Sequence, residues 1–179
     1  MRQGTLERTF GVDTGRGSLE INARRFLSMK RDEIGVIRYA IRSVNFSGSL
    51  RWTPYIDGDV KNRDANYGEK FWDIEETGAG AGTGHLLSKT CKNGFVACMT
   101  MGYEFFRNGE KMQPEPEVIR KKDYVANRVG MDLCRGDEIV LIKYVSVLTS
   151  LDHDPDEIVT RGRRILEDAQ MAGFARLLQ

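Results

Sequence analysis

Apolar and polar residues alternate with a period of two through most of this chain, the pattern of strands that bury one face. In "VIRYAIRSV", Ile37, Tyr39 and Ile41 alternate with Arg38, Ala40 and Arg42, and after the turn "NFSGS" the segment "LRWTPYI" alternates Leu50, Trp52, Pro54 and Ile56 with Arg51, Thr53 and Tyr55. Together these predict a hairpin. "LEINARRFLSM" opens with Leu19 and Ile21 against charge, and "GFVACMTMGYEF" predicts a longer strand with Phe95, Ala97, Met99 and Met101 on one side. "DEIVLIKYVSVLTS" is apolar on both faces around Lys143, which predicts a central strand or one between two layers. Antiparallel strands joined by short polar turns, with few helical patterns between them, predict a mainly β chain folded as an antiparallel β-sandwich.

The last segment changes period. In "LDHDPDEIVTRGRRILEDAQMAGFARLLQ", Asp154 suits an N-cap, Pro155 the first helical position, and Asp156 and Glu157 the positive end of the dipole. Ile158, Gly162, Ile165, Ala169, Phe174 and Leu177 fall near one face of the resulting C-terminal helix, and Gly173 is placed to end or kink it. Its apolar stripe must dock on the sheet or on something outside this chain.

Composition removes several functions. With 27 basic and 26 acidic residues scattered through 179, no electrostatic footprint for nucleic acid or an anionic membrane stands out. No apolar run reaches the roughly 20 residues of a membrane span, and "MRQGTLERTF" lacks the apolar core of a signal peptide. A cytoplasmic location is expected unless the natural start is missing. Cys91, Cys98 and Cys134 are odd in number and lack C-x-x-C spacing, so they are expected to be buried thiols.

Candidate chemistry concentrates in "YIDGDVKNRDANYGEKFW", Tyr55 to Trp72, where Asp57, Asp59, Asp64 and Glu69 lie between aromatic ends. Aligned as a calcium loop from Asp57, the pattern puts Lys61 at a ligand position and Asn62 where glycine is needed, so no metal is expected. "TGAGAGTGH" fails the G-x-G-x-x-G pattern and predicts a flexible loop. The two histidines, His85 and His153, have no G-x-S-x-G elbow to serve and are expected at the surface. No carboxylate pair stands out by spacing, and no catalytic residue is assigned.

Several segments taken together carry a family resemblance. "RRFLSM" followed by "IRYAI", then "NFSG" and "DGDVKN", with "TLERTF" upstream and "ILEDAQMAGFARLL" downstream, resembles the N-terminal domain of glycoside hydrolase family 65, which includes maltose, kojibiose, nigerose and trehalose phosphorylases. The resemblance implies a partial β-sandwich over residues 1–152 and a linker helix over 153–179. By the same resemblance the sequence is expected to begin inside the family's sandwich and to stop before its catalytic α/α barrel. It further implies a non-catalytic domain whose parent is a disaccharide phosphorylase or related glycosidase acting on an α-linked disaccharide. The family's general acid and phosphate site lie in the barrel. Inorganic phosphate would be a co-substrate of the parent, and the domain itself requires no cofactor.

Sandwich loops in that family can approach the sugar pocket, which makes Tyr67, Phe71, Trp72 and Asp73 candidate substrate contacts: aromatic faces suit the apolar face of a pyranose, and a carboxylate suits its hydroxyl rim. Alternatively, Phe71 and Trp72 are core anchors at a strand start. Three functions remain open: an accessory sandwich supporting and shaping the barrel's pocket, a free-standing carbohydrate-binding module, and a structural or oligomerisation domain. Open sheet edges would favour homo-oligomers.

Overall fold

A computed structural model describes residues 4–61 and 70–179. Within them the chain forms twelve strands followed by one helix. The strands are β1 (Thr5–Asp13), β2 (Ser18–Leu27), β3 (Ile34–Ser43), β4 (Gly48–Trp52), β5 (Tyr55–Asp57), β6 (Trp72–Gly80), β7 (Thr83–Thr90), β8 (Val96–Arg107), β9 (Glu110–Met112), β10 (Glu117–Lys121), β11 (Tyr124–Leu133) and β12 (Glu138–Thr149); the helix is α1 (Ile158–Leu177).

The architecture is an antiparallel β-sandwich with one C-terminal helix. The larger sheet runs β1-β2-β3-β12-β8-β7-β6, with β9 also paired to β8, and the smaller runs β10-β11-β4, with β5 also on β11. The two-sided apolar run of the sequence is β12, held between β3 and β8. Its odd-numbered residues face the small sheet: Ile139 and Leu141 join Trp52, Phe105, Val129 and Leu133, while Val145 joins Ile56, Leu86, Met101 and Val125. Its even-numbered residues face α1: Ile142 and Tyr144 pack with Phe26, Ile34, Leu166 and Ala169, and Leu148 with Cys98 and Ile158. The molecule thus has three layers: small sheet, large sheet, helix.

Between the sheets, Trp52 meets the edges of Tyr39 and Phe105 at centroid distances of 6.1 and 5.6 Å. These edge-on contacts join strands of both sheets. A polar pin lies beside them. Buried Asn127 accepts hydrogen bonds on Oδ1 from the Tyr103 hydroxyl (3.0 Å) and the Gly82 amide (2.9 Å), and its amide donates to the Thr83 carbonyl (3.3 Å). Burial pushes the Tyr103 phenol up to about 12, so it remains a donor at any physiological pH.

Several expectations are corrected. The predicted hairpin of "VIRYAIRSV" with "LRWTPYI" does not form, because β3 pairs with β2 and β12 whereas β4 pairs with β11 in the other sheet. Phe46, buried against Trp52 and Phe105, holds the connection as it crosses between layers. The glycine-rich stretch is no loop: it forms facing parts of β6 and β7, paired from Thr77↔Leu86 to Gly80↔Thr83. Of the three thiols only Cys98 is buried, and Cys91 and Cys134 are exposed.

Neither histidine is superficial: His85 is buried at 5% exposure, and His153 is half-buried with its side chain at 7%.

The helix begins at Ile158, later than the sequence suggests. Asp154 instead closes a turn, accepting the Asp156 amide on Oδ1 (3.0 Å) and the Glu157 amide on its carbonyl (3.1 Å). The apolar stripe docks on the chain's own sheet, with Ile158, Gly162, Leu166 and Ala169 buried. Gly162 fits closely enough that a Cβ there would lie 3.1 Å from the Thr100 methyl, and the Thr100 and Ser146 hydroxyls both donate to its carbonyl. Gly173 (φ 77°, ψ 163°) breaks the helix, and Phe174 beyond it meets Phe26 edge-on at 5.4 Å. No helix among the described residues is long and apolar enough to cross a membrane.

Candidate functional site

The candidate site lies where β6 begins. Trp72 and Asp73 pair with Thr90 and Lys89 of β7, and the β7–β8 turn folds back to bring Phe95 beside Trp72, their centroids 5.9 Å apart in an edge arrangement. Local hydrogen bonds fix that turn: the Thr90 amide donates to the Phe95 carbonyl (2.8 Å), and the Phe95 amide donates to the Thr90 hydroxyl (2.9 Å). Phe71 is 38% exposed and Trp72 37% exposed. Neither ring is a core anchor, and both are partly open to solvent; Asp73 is the next residue of β6, where successive side chains point to opposite faces. Tyr67 lies outside the described residues.

The polar surroundings are ordered by charge. Lys70 reaches Asp59 at 2.5 Å and Asp123 at 3.7 Å, while the Asp59 amide donates to Asp57 Oδ1 at 2.9 Å. The hydrogen bond from the Lys70 ammonium holds the Asp59 carboxyl below its usual range and, reciprocally, raises the Lys70 amine. Asp57 and Asp59 are therefore committed to protein donors. Among the described residues no group of three His, Cys, Asp or Glu side chains is arranged to hold a metal ion. Cys91 hydrogen-bonds through its sulfur to Asp73 Oδ2 (3.4 Å) and to the Lys70 carbonyl (3.6 Å). Desolvation, reinforced by the Asp73 carboxylate, raises this thiol and keeps it protonated.

A second polar cluster, which the sequence did not reveal, joins the large sheet to the helix. His85 of β7 lies 2.8 Å from Glu76 Oε1 through Nε2 and 3.2 Å from an Arg163 nitrogen through Nδ1. A guanidinium can only donate, so Nδ1 is the acceptor and Nε2 carries the proton donated to Glu76. Cys98 lies in the same cluster, and burial, aided by the Glu76 carboxylate, pushes its thiol up to about 11. The signal that could have located it is the short glycine turn, which sets His85 opposite Gly78.

On the other face of the sheet Lys143 extends between the layers. It donates to the Tyr55 carbonyl (2.5 Å) and lies 5.6 Å above the Tyr55 ring, which stacks on Tyr124 at 5.5 Å; Lys121 caps the Tyr124 ring at 5.9 Å. Both outer faces of this tyrosine pair are thus covered by lysines. The open aromatic surface at Phe71 and Trp72 is the better candidate for a ligand.

Comparison with known proteins agrees with this architecture. The family description "Glycosyl hydrolase family 65, N-terminal domain" matches residues 1–179. Maltose phosphorylase of Bacillus subtilis is 30% identical over 174 residues, covering 97% of this chain and 22% of that protein. Alpha,alpha-trehalose phosphorylase of Thermoanaerobacter brockii is 26% identical, with 97% of this chain and 23% of that protein covered. A solved human-microbiome structure bearing the name kojibiose phosphorylase superposes with a TM-score of 0.83 at 17% identity, over 99% of this chain and 22% of its own. The chain therefore spans less than a quarter of the length of these relatives.

Proposed function

The chain belongs to glycosyl hydrolase family 65 as its N-terminal domain, and from that premise we propose that it is the non-catalytic sandwich of an enzyme acting on α-linked glucose disaccharides. In this reading it supports a catalytic barrel elsewhere in the parent and presents the start of β6 to the sugar pocket. The maltose and trehalose phosphorylases among its relatives favour phosphorolysis, with inorganic phosphate as co-substrate of the parent.

The observation that carries this reading is the partial exposure of Phe71 and Trp72 at the start of β6, with Asp73 the next residue of that strand. A purely structural domain would gain by burying two large aromatic rings, whereas a pyranose needs an apolar platform flanked by hydrogen-bonding groups. The docked helix supports a rigid connection. From Ile158 to Ala172 it is fixed to the large sheet, and Gly173 then redirects the chain. Self-association through open sheet edges forms part of the same reading.

The decisive experiment uses the longer parent enzyme with Phe71→Ala, Trp72→Ala and Asp73→Asn, assayed against maltose, kojibiose, nigerose and trehalose. A raised KM at preserved folding is expected for at least one disaccharide. Unchanged kinetics in all three variants would remove the substrate-shaping role, and sugar affinity in the isolated chain would instead favour a free-standing binding module.

A further inference from the structure

We propose that Arg24 and Arg38, facing each other across the β2–β3 ladder, form a site for a small phosphate-bearing anion, either inorganic phosphate or a sugar phosphate. The pair lies towards the opposite end of the large sheet from β6, so this site stands or falls independently of the aromatic surface there.

Register brings the two arginines together. They are direct partners in the ladder, so their side chains rise from the same face. The next partners on that face, Phe26 and Val36, lie under α1 with Tyr144 and Leu166, which puts the arginines at the margin of the helix. Two cations directly opposite repel, and a sheet normally sets an opposite charge there. Carboxylates share this face but are engaged elsewhere. Glu7, the partner of Arg24 on β1, accepts a hydrogen bond from the Asn22 side-chain amide at 2.8 Å. Glu104 accepts the Tyr144 hydroxyl at 3.1 Å and pairs with Lys111. Glu138 reaches Arg38 only at 3.8 Å.

Arg24 is the unmet group. Among the described residues it forms no ion pair, and its Nε is buried without an acceptor, which costs free energy until one arrives. The side chain can therefore turn towards a ligand without giving up an ion pair. Arg38 donates from Nη1 to Asn22 Oδ1 at 3.3 Å, and its side chain keeps 29% of its surface open. Two planar forks of donors are thus available for paired oxygens. A carboxylate has oxygens for one fork, whereas a phosphate has enough for both, and its charge of about −1.5 to −2 near neutral pH balances the two cations. Glu7, Glu104 and Glu138 surround the pair on the same face and would repel an extended polyanion, so the ligand is compact.

The test is a titration of the full chain with sodium phosphate and with glucose 1-phosphate at constant ionic strength, followed through the proton–nitrogen correlation signals of the arginine Nε groups and of the β2 and β3 amides. Saturable shifts at Arg24 and Arg38 are expected, with affinity at least tenfold weaker in Arg24→Gln and Arg38→Gln. Arg25 is exposed and projects to the opposite face, so Arg25→Gln should bind as the unsubstituted chain does. Unfolding curves add a second readout: phosphate should raise the midpoint of the unsubstituted chain and of Arg25→Gln, but not of Arg24→Gln or Arg38→Gln. Tighter binding of glucose 1-phosphate would assign the site to a sugar phosphate, and tighter binding of free phosphate would assign it to the inorganic ion. Shifts that fail to saturate with either anion, that persist in both variants, or that sodium chloride alone reproduces would overturn the site.

Discussion

Gly78 lies directly across the β6–β7 ladder from His85, and a Cβ at position 78 would come within 2.0 Å of the imidazole Cε1. The imidazole occupies the space that a side chain would take, and from there it reaches both Glu76 and, on the helix, Arg163. One glycine therefore permits the polar link between the large sheet and α1.

Gly78→Ala is expected to destabilise the chain by about 1–3 kcal/mol, the usual cost of forcing atoms into a filled site. Gly130→Ala is the matched control in another strand, because nothing lies within 4 Å of a Cβ there. Urea unfolding followed by circular dichroism measures both. Equal midpoints for the two variants would show that the imidazole can move aside at no cost.

Lys143 provides a pH-dependent prediction. Desolvation lowers its amine from an ordinary 10.5 to about 8, and no carboxylate among the described residues forms an ion pair with it. Between these values the unfolded chain holds a proton at this site that the folded chain releases, so the Lys143 contribution to stability rises with pH across that window. Below about pH 8 the folded state carries the full penalty, on the order of 3 kcal/mol from the size of the shift. Lys143→Met should therefore be more stable than the parent sequence near pH 7, and the difference should shrink towards pH 9.5. Parallel denaturation curves at pH 7, 8 and 9.5 test this, and a constant difference would refute it.

Periodicity made the individual strands legible, but not their partners. The apolar two-sided run around Lys143 could only be a covered strand, and β12 is covered on both faces. Alternation in "LRWTPYI" gave the correct inward face, with Trp52 and Ile56 buried, but in "VIRYAIRSV" Ile37 is exposed while Val36 and Ala40 on the opposite face are buried, Val36 under α1, and a period of two says nothing about which sheet a strand joins. The crossing depends on Phe46 finding a place beside Trp52. The glycine run was mistaken for a loop because composition records the freedom of glycine, while here two of the glycines provide room: Gly78 for His85, and Gly84 for Met101 and Val125. The same long-range fit buried His85. At the candidate site, sequence supplied the residue types of Phe71, Trp72 and Asp73, but only the fold shows that both rings stay partly exposed, with Trp72 edge-on to Phe95.

The two tryptophans should separate packing from surface roles. Trp52 is buried between the sheets against Tyr39 and Phe105, and Trp52→Ala should cost roughly 3–5 kcal/mol. Trp72 touches Phe95 at a partly open surface, so Trp72→Ala should cost about 1 kcal/mol, close to the value of one aromatic pair. Unfolding midpoints of the two variants provide the comparison. A Trp72→Ala loss as large as that of Trp52→Ala would make Trp72 a structural anchor and weaken its assignment to a sugar surface.

The chain alone is expected to cleave no α-glucoside, with or without phosphate. Breaking the glycosidic bond requires a carboxylic acid that keeps its proton near neutral pH until the leaving oxygen takes it, a property usually obtained in an apolar or anionic pocket. The acidic residues near the aromatic surface have other engagements. Asp57 accepts the Asp59 amide, and Asp59 is held ionised by Lys70, the opposite of what an acid catalyst needs. Asp73 faces the Cys91 thiol, and Glu75 lies 3.5 Å from Lys89. The assay is release of glucose or glucose 1-phosphate from maltose, kojibiose, nigerose and trehalose over hours, against a buffer blank. Turnover that disappears in Asp57→Asn, Asp59→Asn, Asp73→Asn or Glu75→Gln would place an acid in the sandwich and end its assignment as a non-catalytic domain. Turnover untouched by all four would point to contamination, whereas its absence in the isolated chain, combined with activity in the longer parent, would locate the proton donor outside residues 1–179.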